Sequence, residues 1–310
     1  MKPPADNANT AAALADAAAA SPSLATAQAS FMRACWLDVL VQKPGNVSVA
    51  WPGHGMVAAQ FLTSAQAACA PLLAPGARVG QRINAAGAAT WGAVGCNTNL
   101  GILLLCAPLA AAAERCQPPR SAPGLQAAVE AVLADLDLAD AEAAFCAIQR
   151  AQPGGLGQAG AQDVRQAPTV TLRQAMALAA DRDSIARQYA NGYAELFELA
   201  LPLLAPGLLP LGDKGQATAA TAGRVQQVYL RLMAGLPDSH IVRKHGEPLA
   251  HIVMKAAQAW AARAQAGDCL DLDPGFAAWD AALKQQGVNP GTSADLTVAA
   301  LFAAGLLAPA

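Results

Sequence analysis

Aromatic side chains are scarce in this 310-residue chain, at 5%, and charged ones make up only 14%. A core so poor in large rings must be filled by aliphatic and small residues, and alanine is the commonest residue. Alanine and leucine favour helix, and small side chains let helices approach closely. Sustained strand alternation is missing as well, with Thr169-Val170-Thr171-Leu172 the only short contender. These absences predict an all-α protein. A basic excess is also lacking: net charge is −2 and the pI near 6.1. A polymeric nucleic acid is therefore not expected as partner, because its phosphates call for many cations. A few local cations would still suffice for a small phosphorylated ligand.

The 7 cysteines include no CxxC pair and mostly fall inside apolar helical patterns. They read as small core residues in a reducing compartment rather than as a metal site. The longest uncharged stretch, 83–113, is broken by Asn97, Thr98, Asn99, Gly101 and Pro108. Its purely apolar part is too short to span a bilayer. The alanine-rich N-terminus carries Asp6 and Asp16 and lacks the charged-then-leucine-rich order of a signal peptide. A cytoplasmic protein without a membrane segment is expected, with residues 1–22 as a flexible extension. Residues 23–310 should then form a single compact domain of about ten to twelve helices.

Apolar periodicity predicts helices near 23–41, 56–73, 78–94, 99–115, 123–135 and 138–150. A Gly/Pro-rich excursion over 152–168 follows, then a helix from about Thr171 that includes Met176, Leu178, Ile185 and Tyr189. Further helices are expected near 191–205, 216–234, 248–266, 274–286 and 293–307. An alanine-rich helical surface of this kind is compatible with a homodimer.

Four polar stretches interrupt the helices. Asp38 precedes Lys43-Pro44-Gly45-Asn46-Val47-Ser48, where glycine permits close backbone approach and lysine offers a cation for phosphate. An ordinary helix C-terminus would use the same residues. Asn97-Thr98-Asn99-Leu100-Gly101 lies between two apolar runs; a helix cap explains one asparagine and not easily two. Asp238-Ser239-His240-Ile241-Val242-Arg243-Lys244-His245-Gly246 gathers an acid, two cations and two imidazoles, as either a solvated helix end or a polyanion site with a base. Asn289-Pro290-Gly291-Thr292-Ser293-Ala294-Asp295 opens an apolar helix, with Thr292 and Asp295 spaced as a capping box. Its other reading is an anion or ribose site at a helix N-terminus. His54, His251 and the Asp181/Asp183 pair fit surface positions at least as well as functional ones.

Together with Phe61-Leu62-Thr63-Ser64-Ala65, these stretches resemble, in order and separation, the triphosphoribosyl-dephospho-CoA synthase family over residues 30 to 307. The resemblance implies an all-helical fold and transfer of the triphosphoribosyl unit of ATP to 3′-dephospho-CoA, with release of adenine. Such a reaction uses ATP as donor substrate and Mg2+ to help neutralise the triphosphate. The implied phosphate and nucleotide ligands are Lys43, Gly45, Asn97, Asn99, Arg243, Lys244 and Ser293. Asp38, Asp238 and Asp295 are the implied catalytic carboxylates, with Asp238 and Asp295 also as metal ligands. Many family members carry an acidic residue where Gly55 precedes Met56, and Thr-His-Lys-Gly where this chain has Thr98-Asn99-Leu100-Gly101. That pattern is closer to a divergent branch from archaea and one-carbon-metabolising bacteria. Another acceptor, such as a methanopterin-type precursor, and a non-catalytic nucleotide-binding helical protein stay open here. On the single-site reading, Lys43, Asn97, Arg243 and Asp295 must meet at one cleft.

Overall fold

A computed structural model describes residues 22–50, 52–116, 120–157 and 160–307; the N-terminal extension expected over 1–22 lies almost wholly outside them. Their helices are α1 (Pro22–Leu40), α2 (Ala58–Leu72), α3 (Val79–Val94), α4 (Leu100–Arg115), α5 (Ala122–Ala134), α6 (Leu138–Ala151), α7 (Leu172–Ala177), α8 (Ser184–Asn191), α9 (Ala219–Gly235), α10 (Ser239–His245), α11 (Glu247–Gln265), α12 (Pro274–Gln285) and α13 (Gly291–Leu306). The fold is all-α; among the described residues the only β-pairing is two isolated bridges, Gly53 with Met56 and Leu211 with Ala217. No helix among the described residues is long and apolar enough to cross a membrane.

α13 organises the core. From Thr292 to Leu306 every residue except Asp295 is buried, as expected of a helix apolar around its whole circumference. It packs against α1, α4, α9 and α10, with Phe31 of α1 edge-on to Phe302 at 5.9 Å between ring centroids. Small residues set several of these approaches. A Cβ on Gly80 of α3 would fall 2.5 Å from Cα of Asp140 in α6, so that crossing requires glycine. Tyr189 and Tyr193 bury their rings, and their hydroxyls donate to Leu104 O (2.6 Å) and Leu105 O (2.9 Å), tying α8 and the turn after it to α4. A second apolar cluster fills the space between α9, α11 and α12, where Trp260 stacks on Trp279 beside Phe276.

Two predicted helices take other forms. The one expected from Thr171 onward breaks into α7 and α8, because Asp183 accepts hydrogen bonds from the Ile185 and Ala186 N–H groups (2.9 and 3.1 Å) and starts a new helix. Over 191–205 the chain forms a π-turn, Leu196–Ala200, and a 3-10 turn, Leu201–Leu203, with Pro202 unable to donate. Thr169 to Leu172 is no strand; Thr171 caps α7. All seven cysteines are unpaired.

Candidate active site

A cavity of about 450 Å3 opens where the four polar stretches meet. Asp38 and Asn46 come from the end of α1 and its loop, Asn97 to Gly101 from the start of α4, His240 and Arg243 from α10, and Asn289, Gly291 and Asp295 from the start of α13. Of the residues required to meet, Asn97, Arg243 and Asp295 do so, and Lys43 does not. Residues 153–157, 161–164 and 182–183 add to the wall, and Met56, Phe61, Leu104, Phe145, Ile148 and Met176 are among the residues of its apolar side.

Asp295 is the cavity's most unusual group. It makes no hydrogen bond or ion pair among the described residues, although the same helix buries its neighbours. Burial, then the charges of Asp38 and Asp238, push its carboxyl well above the usual carboxylate range, against a smaller opposing pull from Arg243. Gly101 makes room for it: a Cβ there would lie 2.0 Å from Asp295 Oδ2. Thr292 and Asp295 therefore do not act as the capping box their spacing suggested.

Arg243 faces the cavity and donates through Nη1 to Asp183 Oδ2 (2.7 Å), while its Nε is buried with no partner among the described residues. Asp183 thus caps α8 with one oxygen and steers Arg243 with the other. His240 lines the same wall, pushed down to about 3 by burial and by Lys244, Arg243, His54 and His245, so its ring is neutral at physiological pH. At the α4 end, Asn97 Oδ1 accepts from Leu100 N–H (3.2 Å) and Asn99 Nδ2 donates to Thr90 Oγ1 (3.1 Å). Thr98 donates to Ser64 (2.6 Å), which brings the Phe61-to-Ala65 stretch behind this turn.

Several expected ligands stand behind the wall rather than in it. Lys43 is fully buried, pairs with Asp38 at 3.0 Å and donates to the Asp38 carbonyl; it is not positioned to meet a phosphate in the cavity. Asp238 is also buried and saturated. Its Oδ1 accepts from His240 and Ile241 N–H (2.9 and 3.2 Å), and its Oδ2 from Ser293 N–H and Oγ (2.7 and 2.8 Å). Burial raises its pKa and these four donors oppose the rise. Neither a metal nor a proton-transfer role fits a carboxylate so occupied, and Ser293 is committed to the same contact. Lys244 is exposed beside Gly154 outside the lining, and Gly45, with φ of 82°, packs on Pro290 and donates to Asp280 Oδ1 (2.7 Å). His54 bonds the Gly45 carbonyl (2.8 Å), and His251 and Asp181 are exposed.

Four carboxylates line the cavity: Asp163 and Asp183 are held by Arg165 and Arg243, Asp38 is paired with Lys43 behind it, and Asp295 has no partner among the described residues. Among the described residues no group of three or more His, Cys, Asp or Glu side chains gathers to hold a metal. The sequence places Asn46 and Asn289 in its polar stretches without a role and reads Asp183 as a surface residue, and it singles out neither Arg182 nor the 153–157 segment as part of a wall. The signal for the last was its length without periodicity, which in a compact domain marks a functional loop.

The family model described as ATP:dephospho-CoA triphosphoribosyl transferase matches residues 24–310. Among solved structures, one described as a provisional triphosphoribosyl-dephospho-CoA synthase from Archaeoglobus fulgidus is similar, at 20% identity with a TM-score of 0.56. The match covers 80% of this chain and 98% of that one, and at this identity it speaks for the fold. No curated protein matches significantly. The methanopterin-type acceptor and the non-catalytic reading are not favoured by these findings. The chain belongs to the ATP:dephospho-CoA triphosphoribosyl transferase family and is a transferase of that reaction.

Proposed function

We propose that the cavity holds ATP with its ribose over Asp295 and Asp38, and that these carboxylates serve the displacement at the anomeric carbon. The observation that carries this reading is Asp295: a carboxylate without a partner among the described residues, its proton affinity raised, facing a cavity large enough for a ligand. In the step, the bond from the anomeric carbon to adenine N9 breaks and its electron pair leaves with the base. The acceptor hydroxyl oxygen of dephospho-CoA bonds to that carbon, its proton passes to Asp295 as general base, and the departing base takes up a proton from water to leave as neutral adenine. Asp38, with Lys43 behind it, faces the positive charge that develops on the ribose ring. Arg243 and Arg182 supply cations for the triphosphate, with Lys244 outside the cavity as a more distant cation, and Asn97 and Asn99 orient the ribose.

A magnesium ion fits this donor set. Mg2+ usually keeps several waters and binds through one or two carboxylates plus substrate phosphates, not in an all-protein cage. Asp295 and Asp38 would hold it, and it would supply charge neutralisation for the triphosphate.

Chromatographic measurement of adenine, with and without dephospho-CoA, tests the reading. Expected is release that depends on the acceptor, and a fall of about 10²–10⁴-fold in an Asp295→Asn variant that stays folded. Equal release without an acceptor would instead identify a nucleotide N-glycosidase. Nucleotide-dependent stabilisation with no release from any donor would identify a binding protein only.

A further inference from the structure

Two residues of the cavity wall each carry a further polar atom that has no partner among the described residues, and one turn joins them. Asn46 donates through Nδ2 to Asn289 Oδ1 (3.1 Å), while its own Oδ1 is buried and accepts nothing from the described residues. His240 Nε2 is likewise buried and unpartnered. The other edge of that ring lies against Gly291, where a Cβ would come within 2.8 Å of Nδ1. Asn289 and Gly291 belong to the same turn, closed by the Gly291 N–H to Asn289 carbonyl bond (2.8 Å). Asn46 and His240 both line the cavity. A buried polar atom without a partner is unfavourable, so a pair of them in one wall marks where a ligand completes the hydrogen bonding.

We propose that Asn46 and His240 read the N6/N7 edge of an adenine ring, the amide oxygen accepting from the 6-amino group and the imidazole Nε2–H donating to N7. This rests on the reading of the cavity as a nucleotide site. The adenine edge presents a donor beside an acceptor, which complements an acceptor beside a donor. Guanine carries an acceptor oxygen at the 6-position and would set it against the Asn46 oxygen. A neutral imidazole has one N–H and one bare nitrogen, so His240 can donate without carrying charge. Lys244, Arg243, His54 and His245 around it, together with burial, keep it in that form. The Asn46–Asn289 bond fixes which end of the amide faces the ligand. Substituting Gly291 would displace the ring, since no side chain fits between the turn and Nδ1.

Donor ATP and acceptor dephospho-CoA both carry this edge, and binding measurements distinguish them. Calorimetric titration of the full chain with ATP, 7-deaza-ATP, GTP and dephospho-CoA is the experiment, repeated on His240→Phe and Asn46→Leu. If the donor's adenine is read, 7-deaza-ATP and GTP bind about tenfold or more weakly than ATP. His240→Phe then lowers ATP to the level of 7-deaza-ATP, and Asn46→Leu removes the preference for ATP over GTP. If the acceptor's adenine is read, both variants weaken dephospho-CoA by a similar factor and leave ATP unchanged. Unchanged affinity for both ligands in both variants overturns the proposal, as does a 7-deaza penalty that survives in His240→Phe. Should the variants not fold, the wild-type chain decides: AMP and 7-deaza-AMP competing equally against both ATP and dephospho-CoA overturns it. Turnover is read separately by adenine release. Release without purine selectivity leaves the reaction and removes this subsite, while selectivity without release does the reverse.

Discussion

Lys43 shows how burial changes what a cation does. A lysine followed by proline and glycine suggests a phosphate ligand, yet the ammonium is sealed against Asp38 with no exposed side-chain surface. Its loss leaves a buried carboxylate unpaired, which costs about 3–5 kcal/mol. Lys43→Ala should therefore lower stability by that order in denaturant titration, while ATP affinity of the folded fraction changes little. A large affinity loss without destabilisation would return Lys43 to the binding site. Asp295 is the opposite case. Its carboxyl has a raised pKa in the folded chain, so its favourable contribution is complete below the unfolded value and is lost as pH rises through the folded one. At neutral pH, above the unfolded value, the group therefore opposes folding. Asp295→Asn should abolish transfer and yet melt higher than the wild type near pH 7, with the gain shrinking toward pH 4. Paired melting curves across that range check it; a variant less stable at pH 7 would show that Asp295 holds the structure together.

At the level of the elements, the site depends on three close fits. Asp238 joins the start of α10 to the start of α13, so one carboxylate registers the helix bearing His240 and Arg243 against the helix bearing Asp295. Gly101 lets α4 pass the Asp295 carboxylate, and Gly45 lets the first loop close on Pro290. Alanine at position 101 is the clearest test. Intrinsic propensity would favour it in a helix by about 0.8–1.0 kcal/mol, but its methyl cannot coexist with Asp295 Oδ2 at 2.0 Å. Overpacking of this kind costs about 1–3 kcal/mol. Gly101→Ala should therefore lower the melting point, and a shift of the carboxylate by an ångström should cost about 10²-fold in turnover. Full activity would mean that α4 and α13 separate freely there. These fits explain what could be read beforehand. Helix positions followed from apolar periodicity, and the four polar stretches stood out because polar residues between apolar runs need partners. Periodicity reports that a face is buried, not whether protein or cavity covers it. Lys43 and Asp238 were thus grouped with Asp295, although only Asp295 lacks a partner. The break at Asp183 and the π-turn at Leu196–Ala200 were hidden for a related reason: apolar residues continue at helical spacing through both. What decides there is a cap and a proline, each set by local hydrogen bonding.

For the whole molecule, a cavity in a helical body made mostly of small side chains has consequences for stability. Unmet polar atoms at Asn46, His240 and Arg243, together with Asp295, concentrate unfavourable burial on one side of an otherwise well-packed core. A ligand that meets them stabilises the native state alone, by RT ln(1 + [L]/Kd), or about 2.7 kcal/mol at a hundredfold excess over Kd. ATP with Mg2+ should therefore raise the unfolding temperature by several degrees in scanning calorimetry. Mg2+ alone should raise it hardly at all, because Asp38 is already paired with Lys43 and no cluster of three ligating side chains exists among the described residues. Asp295→Asn removes one of the two carboxylates, so the added effect of Mg2+ over ATP alone should shrink in that variant. The shift due to the nucleotide itself should persist, because the arginines and the amide-lined wall remain. A shift from Mg2+ alone equal to that from the complex would instead require a complete metal site in the protein, and the division of roles between Asp38 and Asp295 would have to change with it.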